Sequence, residues 1–502
     1  MKKIIYTLGL SMVLILGTSC EDFLEEKVFT EFDADEFVAT EAGIEALLVA
    51  TYGSSNPVIR ERFHTFAAYP CDDEVEAGGG YRGRVVPFEQ YTVDAANQDL
   101  TATWNQIYEA IRNANSLLDH IDGVTTIPAE RVAALKAEAT FLRAWNYSEL
   151  YDLWGPVPLI TSTLEPAFEF PRASDAEMRS FIESEYRDAI ANLPVTQDAN
   201  GKATKGAAQA MLGRFFMNTQ QWQAAADVLL EVMNLGQYSL IDNVTTLFSH
   251  TNKGNSEMIF VFENNELLSN NGIPAHNFPP GYQTNFRNWG AQLQLQRDFV
   301  ATYHPDDQRA LPWDPRGEFG PVSFGWICYE YTNKAGTYVD LVNGDNPGNR
   351  FHPRSFKYTP TEDPTQISGG GNNWPNDVCY MRYADVLLLR SEALAMIAGA
   401  ATQEAVDLLN QIRTRAGVPT YAIGDFANID AFIDAMLDER GWEFVTEGHR
   451  RRDLIRQGRL ISDAQSRGMA NAAPHHVLFP IPLVELDANP LVVQNDGYGG
   501  SN

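Results

Sequence analysis

Glu439, Glu443 and Glu447 recur every four residues in the stretch ERGWEFVTEGHRRRDLIRQG at 439–458, and Arg450, Arg451 and Arg452 follow directly. Carboxylates four apart share one face of a helix, and Gly448 is a natural place for that helix to stop. Such a cluster has three chemistries open to it: capture of a phosphate or nucleic acid, acid–base catalysis, or internal ion pairing. The planar fork of arginine binds carboxylates bidentately, so arginines beyond the turn can fold back onto the glutamates. We read the segment as internal wiring that includes Asp453, with ligand or phosphate binding as the alternative. A formal net charge of −29 argues against nucleic acid. Phosphate affinity comes from basic surface that releases counterions, and here most of the surface is anionic.

Other chemistry-bearing residues are thinly patterned. There is no GxSxG, HExxH, P-loop or dinucleotide fingerprint. His475 and His476 are adjacent rather than at a ligand spacing, WDPRGEFG at 313–320 lacks the oxygen density of a calcium loop, and no metal or cofactor is expected. Cys71, Cys328 and Cys379 show no CxxC spacing, which disfavours zinc. One disulfide plus a free thiol, or three buried inert thiols, both remain open.

These residues have to be held by helices. Residues 33–52 read as a helix with an Asp33/Glu36 capping box. Trp104, Ile107, Tyr108, Ile111, Ala114 and Leu118 recur at three- and four-residue steps across about 101–122. A helix after Pro128 runs to about Leu153 and stops at Gly155 and Pro156, and a Ser174/Glu177 box opens the next. Leu212, Gly213, Phe216, Trp222 and Ala225 have the spacing of a tetratricopeptide helix pair, with Gln220 in place of the usual turn glycine. A more degenerate unit, with Ala393, Met396 and Ala405, runs from Tyr380 to Gly417. Trp104, Trp145, Trp154 and Trp222 read as packing residues of these helices. Between about 249 and 377 periodicity fades, and aromatics stand in polar loops: Tyr282, Phe286, Trp289, Trp313, Trp326, Tyr331 and Trp374. Irregular stretches of this length are often functional. The two helical parts, about 33–248 and 378–470, are expected to pack together with the loop-rich segment on one side.

The N-terminus carries a signal. Lys2 and Lys3 precede an apolar run from Ile4 to Gly17 that is short for a bilayer span, and LGTSC ends at Cys20. This resembles a bacterial lipobox, although Leu16 stands one place further from the cysteine than usual. It predicts a signal peptide over 1–19 and a lipidated Cys20; an ordinary secretory signal with an incidental cysteine is the alternative. The EDFLEE that follows resembles the acidic tag of surface-exposed lipoproteins in Bacteroides-like bacteria.

FLRAWNYSELYDLWGPVPL at 141–159, RYADVLLLRSEAL at 382–394, LNQIRTRAG at 409–417, the 439–458 stretch and LFPIPLVELDANP at 478–490 come in an order that resembles the SusD/RagB family of outer-membrane nutrient-binding lipoproteins. The resemblance covers nearly the whole chain. It implies a mainly α fold of tetratricopeptide-like helix pairs with a large irregular insert, in one SusD-like domain over 20–502. It also implies an outer-membrane protein, lipid-anchored and facing the exterior. It further implies no enzymatic activity, and a SusC-like TonB-dependent β-barrel transporter as partner, served with captured oligosaccharides. A peptide-binding receptor of the same transport type is the alternative, and a helical glycoside hydrolase is less favoured. Sugars are held by aromatic faces and by hydrogen bonds worth about 0.5–1.5 kcal/mol each. Asp73, Tyr81 and Arg82 in CDDEVEAGGGYRGR at 71–84, with Arg84 beside them, and Trp289, Trp313, Trp326 and Trp374 in the insert are therefore the candidate glycan-binding residues.

Overall fold

The computed structural model describes residues 37–56, 70–76, 82–164, 169–265, 272–282, 284, 287–289, 292–310, 325–342, 352–358 and 374–499. The signal segment and Cys20 lie outside them, as do Asp33 and Glu36. Helix α1, Glu41–Ser55, is instead capped by Thr40, whose hydroxyl accepts from the Gly43 N–H at 3.1 Å. A short strand β1, Glu74–Glu76, and helix α2, Arg82–Glu89, lead into the long antiparallel pair α3, Gln98–His120, and α4, Ala129–Trp154. The left-handed Gly155 (φ 73°) ends α4 where the sequence places the stop. Helix α5, Asp175–Asn192, opens with the Ser174/Glu177 capping box in full.

Helices α6, Lys205–Asn218, and α7, Trp222–Asn234, form the first tetratricopeptide-like pair. Gln220 adopts φ 58°, the left-handed region in which the turn glycine of such a unit would sit. Gly213 lets the two helices meet, since a Cβ there would lie 2.5 Å from Leu229 Cδ2. Gly213→Ala should therefore destabilise the protein by about 1–3 kcal/mol, although alanine is the better helix former. A urea midpoint at or above that of the wild type would show that the contact is not tight.

The chain then enters its irregular part. It comprises β2, Met258–Phe262, α8, Ile273–Asn277, β3, Leu293–Leu295, α9, Arg297–Val300, β4, Ile327–Cys328, β5, Glu330–Thr332, β6, Tyr338–Asp340, β7, Arg354–Ser355, and β8, Val378–Arg382. β2 pairs antiparallel with β8, tying the neck of the insert at 258–262 and 378–382. The loop-rich insert runs between these two strands. It has a minor core of its own, made by Phe278, Tyr282, Cys328, Tyr331, Leu341, Phe356 and Trp374.

The helical half resumes with α10, Tyr383–Ala398, α11, Gln403–Ala416, α12, Ile429–Phe444, α13, Arg450–Arg456, α14, Leu460–Ser466, and α15, Leu483–Ala488. α10 packs on both α7 and α11, so the two helical parts of the chain form one stack. Ala393 and Ala405 are enclosed at the α10–α11 contact. Trp104, Trp145 and Trp154 are buried and Trp222 is partly so, as packing residues should be. Cys71, Cys328 and Cys379 are buried thiols outside any disulfide. Among the described residues no helix is long and apolar enough to cross a membrane.

Candidate functional site

The basic cluster is internal wiring. α12 stops at Phe444, one turn earlier than Gly448, so Glu447 lies beyond the helix. All three glutamates nevertheless converge on cations. Glu439 meets Arg309 and Arg413, each at 2.7 Å. Glu443 takes Arg309 at 2.9 Å, Arg382 at 2.6 Å and also Arg415. Glu447 holds Arg382 at 2.8 Å and Lys357 at 2.7 Å. Burial alone would raise the Glu443 carboxyl, but Arg415, Arg382 and Arg309 outweigh it and hold it well below the usual carboxylate range. The arginine run is spent in the same way. Arg450 forks onto Asp72 at 2.6 and 2.7 Å, and Arg452 binds Glu149 and Asp152. Arg451 lies over the Phe479 ring and donates to the Val477 carbonyl at 2.7 Å. Asp453 joins through Arg440 and Arg456. Arg309, Lys357 and Arg382 lie in the insert or at its neck, so the network bolts the irregular part onto the helical frame. None of these groups is free to bind a phosphate.

The loop-rich face is built differently. β1 pairs antiparallel with β3 in the register Glu74↔Leu295, Val75↔Gln294, Glu76↔Leu293. The chain leaving β1 and the chain entering β3 therefore share one end of the ladder. The ladder joins two stretches far apart in the chain. Arg82 is exposed at the start of α2. Trp289 is half-buried. Its backbone N–H donates to the Ala275 carbonyl at 3.0 Å. Its ring packs on the buried His276 at 4.2 Å between centroids. The exposed Arg287 guanidinium stands 5.9 Å from the same ring. His276 is itself held by a hydrogen bond to Gln292. The half-buried indole is thus packed against His276 and carries the Arg287 guanidinium over its ring.

The other candidates fare unequally. Tyr81 and Trp313 lie outside the described residues. Trp326 is 2% exposed, donates its indole N–H to the Val244 carbonyl at 2.9 Å, and has Lys357 Nζ 4.0 Å from its ring centre. Trp374 is fully enclosed against Phe278 in the minor core. Neither offers a ring face to a ligand, because each fills an apolar gap that the irregular backbone leaves. Asp73 is 3% exposed and faces inward under β1. Arg84 is committed to Asp99 by two hydrogen bonds of 2.6 and 3.0 Å. Arg287 was not singled out from the sequence, although RNW at 287–289 places a cation two residues before an aromatic in a polar loop. No group of His, Cys, Asp and Glu among the described residues could hold a metal.

A stack of tetratricopeptide-like helix pairs carrying a loop-built, aromatic-bearing face is the architecture of a binding protein. The particular lineage follows from comparison with known proteins. Residues 328–498 match the family model described as the SusD family, and residues 22–217 match one described as starch-binding associating with outer membrane. The chain belongs to the SusD/RagB family. A SusD-like protein of Formosa agariphila is 27% identical over 519 residues, 95% of each chain. The starch-binding protein SusD of Bacteroides thetaiotaomicron is 23% identical, over 77% of this chain and 76% of that one. A solved laminarin-binding SusD-like protein superposes with a TM-score of 0.74 at 26% identity, over 91% of this chain and 100% of that one.

Proposed function

We propose that this protein is a cell-surface lipoprotein that captures oligosaccharides and delivers them to a TonB-dependent outer-membrane transporter, anchored through acyl chains on Cys20. The observation that carries the capture role is the half-buried Trp289 ring, packed on His276 with the exposed Arg287 guanidinium over it. A pyranose ring can meet the exposed part of the indole while the Arg287 guanidinium donates to its hydroxyls. The similarity to a laminarin-binding and a starch-binding protein supports a glycan as the ligand class. Contacts of this kind are individually weak, which suits a protein that must release what it holds. The reading is of binding without cleavage. Asp73 and Glu74 are adjacent carboxyls with raised pKa values, but both are buried. A glycosidase needs two carboxyls facing each other across the sugar.

Calorimetry of the full-length protein in detergent against laminarin and starch oligosaccharides, with analysis of the sugar afterwards, tests this. Trp289→Ala should weaken binding by at least about tenfold, the equivalent of about 1.4 kcal/mol, and the recovered sugar should be intact. Unchanged affinity in that variant would move the site elsewhere. Shortened products would revive the hydrolase, and capture of peptides in place of glycans would favour the alternative receptor.

A further inference from the structure

A second concavity lies on the helical frame, and none of its lining residues belongs to the insert. It is a cleft of about 630 Å³ bounded by α3, the 158–163 segment, Phe170 and α15. That volume is in the range of small-molecule sites. Its walls are fixed. Tyr108 is held by its hydroxyl donating to the Pro158 carbonyl at 2.8 Å and by the Trp104 ring at 5.1 Å. Phe170 is half-exposed, and its carbonyl accepts from Asn489 Nδ2 at 2.9 Å.

Along one wall runs a stripe of Asn105, Glu109 and Arg112, spaced to share one face of α3. All three are exposed, and none of their side chains makes a hydrogen bond or ion pair with another described residue. The stripe therefore presents one amide, one carboxylate and one guanidinium to the cleft, each with no hydrogen-bond partner among the described residues.

We infer that this cleft is a second glycan site, for a short neutral oligosaccharide, separate from the Trp289 site. The donor set selects the ligand class. An anion would call for donors only, and a cation for acceptors only. An apolar helix or peptide would leave the carboxylate and guanidinium unpaired in the groove. Vicinal sugar hydroxyls each donate and accept, so they match an amide, a carboxylate and a guanidinium in one row. The carbon face of the ring meets Tyr108 and Phe170 across the cleft.

The test is calorimetry of the full-length protein in detergent with laminarihexaose, maltoheptaose, cellohexaose and mannohexaose. The variants are the double substitution Glu109→Ala with Arg112→Ala, the single Phe170→Ala, and Trp289→Ala. The two polar residues are exposed and bond no other described residue, so an unchanged thermal midpoint is expected and checks the fold. Two sites per chain are expected for the wild type. The double variant should lose one of them, by at least about tenfold in affinity, and Trp289→Ala the other. A single site that only Trp289→Ala weakens overturns the cleft and leaves the proposed capture face standing. A single site that only the cleft variants weaken upholds the cleft and removes Trp289. Silence with all four sugars overturns the cleft as a glycan site.

Discussion

Glu443→Gln is expected to destabilise the protein by about 3–5 kcal/mol, a large share of the roughly 5–15 kcal/mol that holds a folded protein together. The substitution keeps the shape of the side chain and removes its charge. Three buried arginines, Arg309, Arg382 and Arg415, then lose a shared counter-ion with no water to replace it. Replacing a whole buried ion pair by apolar residues is often neutral, but removing one partner is not. Asp434→Asn is the control. Its partner Arg459 is solvent-exposed, so the change should stay within about 0.5 kcal/mol. Urea unfolding of both variants decides the matter, and equal midpoints would sink the idea that the network holds the insert on the frame. The acid limb gives a second reading. The Glu443 carboxyl is depressed on folding, so its contribution is complete above the ordinary glutamate value and is lost as pH falls toward the folded one. From about pH 5 downward, the wild type should lose more stability than Glu443→Gln.

Asp73→Asn should act in the opposite direction, stabilising the protein at about pH 8. Burial first, and then the charge of Asp72, lift the Asp73 carboxyl from 3.8 to about 7, against the pull of Arg450 and Arg467. Glu74 beside it is raised as well, also by burial first. A carboxyl raised on folding keeps its proton in the native state while the unfolded chain has lost it. Stability therefore falls as pH rises from about 4 to about 7 and levels off above that. An amide cannot ionise, so the variant escapes this loss. A shift of about three pKa units sets an upper limit of roughly 4 kcal/mol on the gain. At about pH 4 the two proteins should agree within about 0.5 kcal/mol. Denaturant curves at the two pH values check this, and a gain of the same size at both would mean that packing, not ionisation, is responsible.

Much of the frame was legible in the sequence because its signals are local. The Ser174/Glu177 box, the stop at Gly155 and the Leu212–Gly213–Phe216–Trp222–Ala225 spacing each describe neighbours along one helix or one turn. The left-handed turn position of Gln220 was legible for the same reason. The expected Asp33/Glu36 box lies outside the described residues, and the Thr40 cap of α1 was not read from the sequence.

The sequence by itself determined a mainly helical protein with tetratricopeptide-like pairs, an irregular insert and a basic cluster turned inward. Periodicity, capping and charge are properties of short stretches, and they survive without knowledge of the fold. Which loop aromatics face solvent was decided only by the tertiary structure. Trp289, Trp326 and Trp374 look alike in a polar loop, yet Trp326 and Trp374 fill gaps in apolar cores while Trp289, in the chain just before the β3 strand of the β1–β3 ladder, stays half-buried on His276. That ladder, like the partners of Glu443, joins residues far apart in the chain. Burial is a sum over such distant neighbours, and no local pattern of residues carries that sum.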